Sequence, residues 1–140
     1  MDLSRLETVK LAESGVWFEP LDFEGEPCGL EILVHGTDSK EFRRKIAERA
    51  AKTVTDRIEK KAGAKVEEVD ERAISVADAT MDWRWKDVGD PPEPATFNGE
   101  QPAFSHAMAV TLYAALPFIA DQVDRFIGRR KNFTKPVSPS

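Results

Sequence analysis

The chain has 140 residues, of which 20 are basic and 25 acidic, so its formal net charge is −5. That length suits one domain, and the acidic balance disfavours a protein that binds nucleic acid with its whole surface. The single cysteine excludes an internal disulfide, and no apolar run approaches the roughly 20 residues of a membrane-spanning helix.

Two short apolar runs in the first quarter of the chain predict a β-hairpin. Before them, leucines and a valine at near-helical spacing predict a short helix over residues 2–13. The runs 16–19 and 30–34 are joined by a loop, 22–29, that is rich in glycine and proline. A lone hairpin is marginally stable in water, so we expect it to pack on helices or on another copy of the chain.

The clearest predicted helix begins at Asp38, with Glu41 three residues later as in a capping box. Neither proline nor glycine follows before Gly63. Apolar residues recur at every fourth position: Phe42, Ile46, Ala50, Val54 and Ile58. Because a helical turn has 3.6 residues, this stripe drifts around the helix and predicts an oblique crossing against a partner element.

A second helix is predicted over residues 65–81, with one apolar face. Trp83 and Trp85, just beyond it, lie on the same side of the chain if that segment is extended. Residues 87–101 contain prolines and glycines at Gly89, Pro91, Pro92, Pro94 and Gly99. They predict an irregular, mobile loop.

Two more helices are predicted towards the C-terminus. Ser105 is a plausible N-cap for a helix through Ala115, and Pro117 suits the first turn of a helix that ends near Gly128. The composition of residues 132–140 predicts a disordered tail.

The predicted fold is therefore α+β and mainly helical. It consists of an N-terminal β-hairpin followed by a long amphipathic helix and a bundle of shorter helices. We expect a single domain over residues 1–131, with residues 132–140 as its tail.

Charge is distributed in blocks of alternating sign along the chain. Residues 1–36 carry a net −6, residues 40–65 a net +6, residues 66–124 a net −9 and residues 125–140 a net +5. This alternation favours complementary contacts within one molecule or between copies. Solvated faces on ordinary helices are the alternative.

The sequence contains no recognisable catalytic, cofactor or metal site. His35 and His106 are not at metal-ligand spacing from other ligands, and Cys28 has no local nucleophile signature. Glycine-rich phosphate loops are absent as well. We therefore expect a protein that is not an enzyme and needs no cofactor.

Ten basic residues lie within residues 40–65 and could follow the phosphates of a nucleic acid. They do not form one stripe on the predicted helix, and no aromatic residues are interleaved with them on that face. A small nucleic-acid-binding regulator is therefore kept as a less favoured alternative.

A series of short motifs occurs in a recognisable order. It comprises Pro20-Leu21-Asp22-Phe23 before a strand, a helix start at Gly36-Thr37-Asp38-Ser39, an acidic-tryptophan segment at Asp82-Trp83, then Pro102-Ala103-Phe104, Leu116-Pro117 and Lys131-Asn132-Phe133. In this order they resemble the tail assembly chaperones of long, non-contractile-tailed bacteriophages and related prophages. The resemblance covers most of residues 16–133.

The resemblance implies a non-enzymatic role in the host cell cytoplasm. Such chaperones bind the long, hydrophobic, helical tape measure protein, keep it soluble, help to recruit the tail tube protein, and are absent from the finished virion. It also implies a homo-oligomer and, in many members, a longer form made by a −1 ribosomal frameshift, which the codons of Lys131-Asn132-Phe133 permit. No membrane partner is expected, and a nucleic-acid partner is not favoured.

A chaperone for a helical client needs exposed apolar surface. The residues predicted to face the client in part are Trp83, Phe104, Leu112, Leu116, Ile119, Val123 and Phe126, with core packing as the alternative for each. Another tail morphogenesis or head-tail joining protein is the second reading of the same resemblance.

Overall fold

The computed structural model describes residues 1–60 and 70–134, without the side chains of residues 53–60. The fold is α+β: five helices and five strands in the described residues, 50% helix and 19% strand, with the strands in two small antiparallel sheets. The prediction of a mainly helical fold, with a hairpin, a long helix and a bundle of shorter helices, is wrong. The reason is that further strands follow the long helix and extend the hairpin into a sheet.

The N-terminal segment is broken into two short helical pieces. A 3-10 helix, Leu3–Leu6, is followed by helix α1, Val9–Ser14, and Gly15 at φ 89° turns the chain into strand β1, Val16–Phe18. The predicted helix over residues 2–13 is therefore interrupted between the two pieces.

The main sheet has three strands in the order β1-β2-β3, where β2 is Leu30–Val34 and β3 is Thr80–Trp85. The antiparallel pairing of β1 with β2 confirms the predicted hairpin. Strand β3 pairs with the other edge of β2, with Trp83 opposite Ile32. Because side chains alternate along a strand, this register puts Trp83 and Ile32 on the same, core-facing side of the sheet.

The long helix α2, Lys40–Lys60, begins after Ser39 rather than after Asp38. The Ser39 hydroxyl accepts a hydrogen bond from the Phe42 N–H at 3.1 Å, which is the N-cap geometry. Asp38, predicted as the cap, instead binds Arg130, with Nε 3.0 Å from a carboxylate oxygen.

Among the stripe residues on α2 whose side chains are described, the first two reach the core. Phe42 is buried and Ile46 packs against the core, whereas Ala50 is exposed. Val54 and Ile58 lie outside the described side chains.

Helix α3, Glu71–Ala79, occupies part of the helix predicted over residues 65–81. Asp70 caps it by accepting from the Ala73 N–H at 2.9 Å, and residues 65–69 lie outside the described residues. The predicted helix continues through Met81, but the chain becomes strand β3 at Thr80, because Thr80 and residues 82–85 pair with β2.

The segment predicted to be an irregular loop contains a second, two-stranded sheet. Strand β4, Asp87–Val88, pairs with β5, Glu93–Pro94, and Phe97 forms an antiparallel bridge with Glu100. The prolines do not prevent these pairings, because two-residue strands need few backbone donors.

The C-terminal helices begin as predicted. The Ser105 hydroxyl accepts from the Met108 N–H at 3.1 Å and caps helix α4, His106–Ala115. Helix α5, Pro117–Gly128, has its proline in the first turn. Both helix starts are confirmed.

A 3-10 helix, Arg130–Phe133, follows α5 and includes two residues of the predicted tail. The Phe133 side chain is 1% exposed, and its ring meets that of Phe126 edge to face at 5.7 Å. Residues 135–140 lie outside the described residues, so the disordered tail and the single domain over residues 1–131 stay predictions.

The core lies between β2, β3 and helices α3, α4 and α5. Ile32, Leu112 and Val123 are 0% exposed, and each such side chain contributes roughly 2 kcal/mol through burial. Within this core the hydroxyls of Thr80 and Tyr113 are 2.8 Å apart. Burial raises the pKa of Tyr113, so the phenol stays protonated.

Candidate functional site

The predicted client-facing residues are largely occupied by contacts inside the molecule. Trp83, Leu112, Ile119 and Val123 are buried at 6%, 0%, 9% and 0% exposure. The remaining three, Phe104, Leu116 and Phe126, are half-buried and pack against the same core. The four buried residues therefore lie in the core, as the alternative stated. Contact with the client stays a prediction for all seven.

The two tryptophans of β3 fix the chain that leads into α4. Both indole N–H groups donate to the carbonyl of Pro102, each at 2.9 Å. The ring of Phe104 meets Trp83 edge to face at 5.3 Å. Both tryptophans lie in a strand, which is the condition under which the sequence put them on the same side, and their shared acceptor gives them a structural role.

The exposed apolar surface lies elsewhere, where the loop between β1 and β2 meets the start of α5. Phe23 is 84% exposed, and its ring centroid lies 4.6 Å from that of Phe118, which is 38% exposed. Leu21 is 43% exposed. We call these three residues the Phe23 face. Clustered exposed aromatic side chains of this kind are typical of interaction surfaces.

The loop that carries Phe23 is held by hydrogen bonds within itself. The Asp22 carboxylate accepts from the backbone N–H groups of Glu24 and Glu26 at 2.9 and 3.0 Å. The Asp22 N–H in turn donates to the carbonyl of Glu26 at 2.7 Å. This Asx-type turn fixes the backbone on both sides of Phe23, so the ring is presented to solvent by an ordered loop.

Helix α5 holds the same loop from the other side. The side-chain amide of Gln122 accepts from the Leu21 N–H at 2.8 Å and donates to the Leu21 carbonyl at 2.9 Å. The loop is thereby kept beside α5, and Phe23 is kept beside Phe118.

A cleft of about 210 Å³ lies farther along α5. We call it the arginine cleft; its lining residues are Phe18, Gln122, Arg125, Phe126, Arg129 and Asn132. The rings of Phe18 and Phe126 stack at 4.3 Å and form its apolar wall. Gln122 lines the cleft and also bonds to Leu21 of the Phe23 face, so the two surfaces are adjacent.

A second apolar surface lies in the N-terminal segment. Leu3, Leu6 and Val9 are 72%, 60% and 46% exposed. None of the three is aromatic and none lines the arginine cleft. They therefore provide a comparison for the Phe23 face.

The arginines of α2 whose side chains the structure describes pair with carboxylates within the molecule. Arg44 bridges Glu41 and Glu48, and Arg43 lies 3.1 Å from an Asp38 oxygen. These pairs leave fewer charges for phosphates than the sequence suggested, which weakens the nucleic-acid alternative.

An open groove of about 410 Å³ lies beside α2, α3 and the start of α4. In it the buried Asp78 carboxylate pairs with Arg49 and with Nε2 of His106 at 2.8 Å. Burial, with the nearby charges of Lys45 and Arg49, lowers the pKa of His106. The Asp78 carboxylate therefore offsets part of the positive charge of this groove.

Within the described part of the chain, no group of three or more His, Cys, Asp or Glu side chains could hold a metal ion. The described helices include none with both the length and the apolar character needed to cross a membrane. No family model, curated protein or solved structure matches this chain.

Phe23 was not singled out from the sequence as a candidate for binding a partner. The signal was present, because Phe23 stands between acidic residues in a segment with glycine and proline, Asp22-Phe23-Glu24-Gly25-Glu26-Pro27. An aromatic residue in such a loop has few ways to reach the core and is a candidate for surface recognition.

Proposed function

We propose that this protein is a tail assembly chaperone of a long, non-contractile-tailed bacteriophage or related prophage. It binds the tape measure protein in the host cytoplasm, keeps that protein soluble while the tail tube polymerises, and is not retained in the virion. The role is non-enzymatic. The proposal rests on the ordered sequence resemblance together with the exposed aromatic surface.

The observation that carries the proposal is the Phe23 face. Phe23 is 84% exposed on a hydrogen-bonded loop and lies against Phe118. An apolar surface beside a helix suits the apolar stripe of an amphipathic client helix. The acidic residues around it, Asp22, Glu24 and Glu26, keep this apolar surface soluble when no client is bound.

Self-association is part of the same proposal. Strand β1 is an edge of the three-stranded sheet, and the chain alternates between acidic and basic blocks. Open sheet edges and complementary charge both favour contacts between copies. Several copies along one client would cover a long helix better than a single copy.

The test is co-expression with the tape measure protein encoded near this gene. The wild type is expected to give a soluble complex, and the double variant Phe23→Ser/Phe118→Ser is expected to leave the client insoluble while folding normally. The double variant Leu3→Ser/Leu6→Ser is the matched control, because it removes exposed apolar surface elsewhere and is expected to retain the complex. A wild type that leaves the client insoluble and unbound would overturn the proposal.

Mass spectrometry of purified virions separates this function from its main alternative. A chaperone is expected to be absent from the particle. Recovery of the protein in stoichiometric amounts would instead identify a structural tail or head-tail joining component.

A further inference from the structure

Two exposed arginines lie at the far end of the arginine cleft from the Phe23 face. Arg125 is in the last turn of α5, and Arg129 is its C-cap residue. Arg125 donates from Nε to the carbonyl of Asp121 at 3.4 Å, and neither guanidinium forms an ion pair with an Asp or Glu of the described residues. Five other arginines among the described residues do pair with carboxylates: Arg43, Arg44, Arg72, Arg84 and Arg130.

The acidic side chains of α5 contact an arginine of another helix. Arg72 of α3 pairs with Asp121 and lies 3.7 Å from an oxygen of Asp124. The acidic side of α5 is therefore neutralised by α3, while its basic end stays available to a partner.

The two guanidinium groups are the charged groups that the cleft offers to a ligand. The polar amides beside them already have partners. The Asn132 amide donates to the Phe126 carbonyl at 3.0 Å, and the Gln122 amide is bonded to Leu21. Guanidinium groups bind carboxylates with two parallel hydrogen bonds, and an adjacent apolar wall strengthens such a pair by excluding water.

We propose that Arg125 and Arg129 bind an acidic side chain of the client, while apolar residues of the same client segment cover the Phe23 face. The inference rests on the proposed function in that the occupant is the chaperone's client. It adds the chemistry that the client must carry, which is an apolar anchor and a carboxylate on one face of a helix.

The geometry also sets the spacing between the two client features. Phe118 and Arg125 are seven residues apart on α5, which corresponds to roughly 10 Å at 1.5 Å per residue. A client helix that lies along α5 would therefore place its carboxylate about seven residues, or two turns, from its apolar anchor.

An acidic peptide fits this site better than a nucleic acid. The nearby loop carries Asp22, Glu24 and Glu26. This negative surface repels an extended polyanion but leaves room for one carboxylate between two arginines. A single charged contact next to an aromatic face is the pattern of a protein partner.

The experiment uses the full chain and labelled synthetic helical peptides. The first peptide has a central pair of leucines on one face and a glutamate about seven residues to each side, so that either binding direction is served. The second has glutamine at both glutamate positions. Fluorescence anisotropy is expected to show that the wild type binds the glutamate peptide about tenfold more tightly than the glutamine peptide, and less so at high salt.

Charge reversal provides the decisive variant. Arg125→Glu/Arg129→Glu is expected to lose the preference for glutamate and to gain one for a peptide with lysine at the same positions. Lys45→Glu/Lys52→Glu is the matched control, because it makes the same change in net charge in the groove beside α2 and is expected to keep the wild-type preference. The milder Arg125→Gln/Arg129→Gln variant, checked by circular dichroism, covers the case in which the reversed pair does not fold.

The outcomes separate this inference from the proposed function. An unchanged glutamate preference in the reversed variant, no peptide binding by the wild type, or preferential binding of a short DNA duplex through the same arginines would each overturn the inference. A wild type that solubilises the tape measure protein with these arginines reversed keeps the chaperone function and overturns the arginine site alone. Failure of the wild type to bind the tape measure protein at all overturns the function itself.

Discussion

The side-chain amide of Gln122 binds both backbone groups of Leu21, accepting from its N–H at 2.8 Å and donating to its carbonyl at 2.9 Å. The two residues are 101 positions apart in the chain. This one side chain thus joins the hairpin loop to α5 and sets the position of Phe23 relative to Phe118. The exposed aromatic surface depends on a contact between distant parts of the sequence.

Gln122→Ala is expected to detach the loop from α5 without unfolding the protein. Both hydrogen bonds are at the surface, so the free energy of unfolding should fall by only about 1 kcal/mol. The Leu21 amide should exchange its hydrogen much faster, and binding of the leucine-bearing peptides should weaken. Hydrogen-exchange mass spectrometry over residues 20–28 measures the exchange at Leu21.

Gln101→Ala is the control for that prediction. Gln101 also donates from its amide to a backbone carbonyl, that of Ala95, at 3.0 Å. Its removal should leave exchange at Leu21 unchanged. Equal protection of Leu21 in wild type and Gln122→Ala would show that the amide does not hold the loop.

Local signals in the sequence predicted the local parts of the fold. Ser105 and Pro117 set the starts of α4 and α5 through caps and first-turn geometry that neighbouring residues determine. Ser39 was missed because Asp38 beside it is an equally good capping residue, and the partners that occupy Asp38 instead, Thr8 and Arg130, are distant in the chain.

The nonlocal parts could not be predicted in the same way. Strand β3 is absent from the predicted elements, because its pairing with β2 joins segments about fifty residues apart in the chain. The candidate site shows the same limit. Leu112 and Phe23 are both apolar, and the sequence alone does not tell that the first is 0% exposed and the second 84%.

Asp38 is expected to make stability depend on pH in the acidic range. Its carboxylate binds Arg130, the Thr8 hydroxyl and Arg43. These contacts, that of Arg130 first, lower the pKa of Asp38 below its ordinary value of 3.8. The folded protein therefore binds this proton less readily than the unfolded chain, and the stabilisation is complete above that ordinary value.

The stabilisation from Asp38 should be lost as the pH falls through the lower pKa of the folded state. Urea unfolding of wild type and Asp38→Asn is expected to differ most at neutral pH, with the two stabilities converging as acid is added. Asp87→Asn changes an exposed position, so its free energy of unfolding should show the same pH dependence as that of the wild type. A constant difference between wild type and Asp38→Asn across this range would contradict the assignment.

Cys28 is expected to react slowly with thiol reagents in the folded protein. It is half-buried, and burial raises the pKa of its thiol. Less thiolate is then present at mildly alkaline pH, so modification by a disulfide reagent should be about tenfold slower than in the unfolded chain. The chain has one cysteine, so absorbance reports on this site alone. A Phe23→Cys/Cys28→Ser variant should react rapidly, and equal rates for the two thiols would refute the protection.

Phe133 is expected to stabilise the fold although the sequence placed it in a tail. Its ring is 1% exposed and packs so closely on Gly36 that a Cβ there would lie 2.9 Å from it. Phe133→Ala should lower the free energy of unfolding by about 3–5 kcal/mol, because it leaves a cavity in place of the ring. Phe23→Ala, at 84% exposure, should change it by no more than about 0.5 kcal/mol. Urea unfolding compares the two, and similar values would mean that Phe133 does not pack in the core in solution.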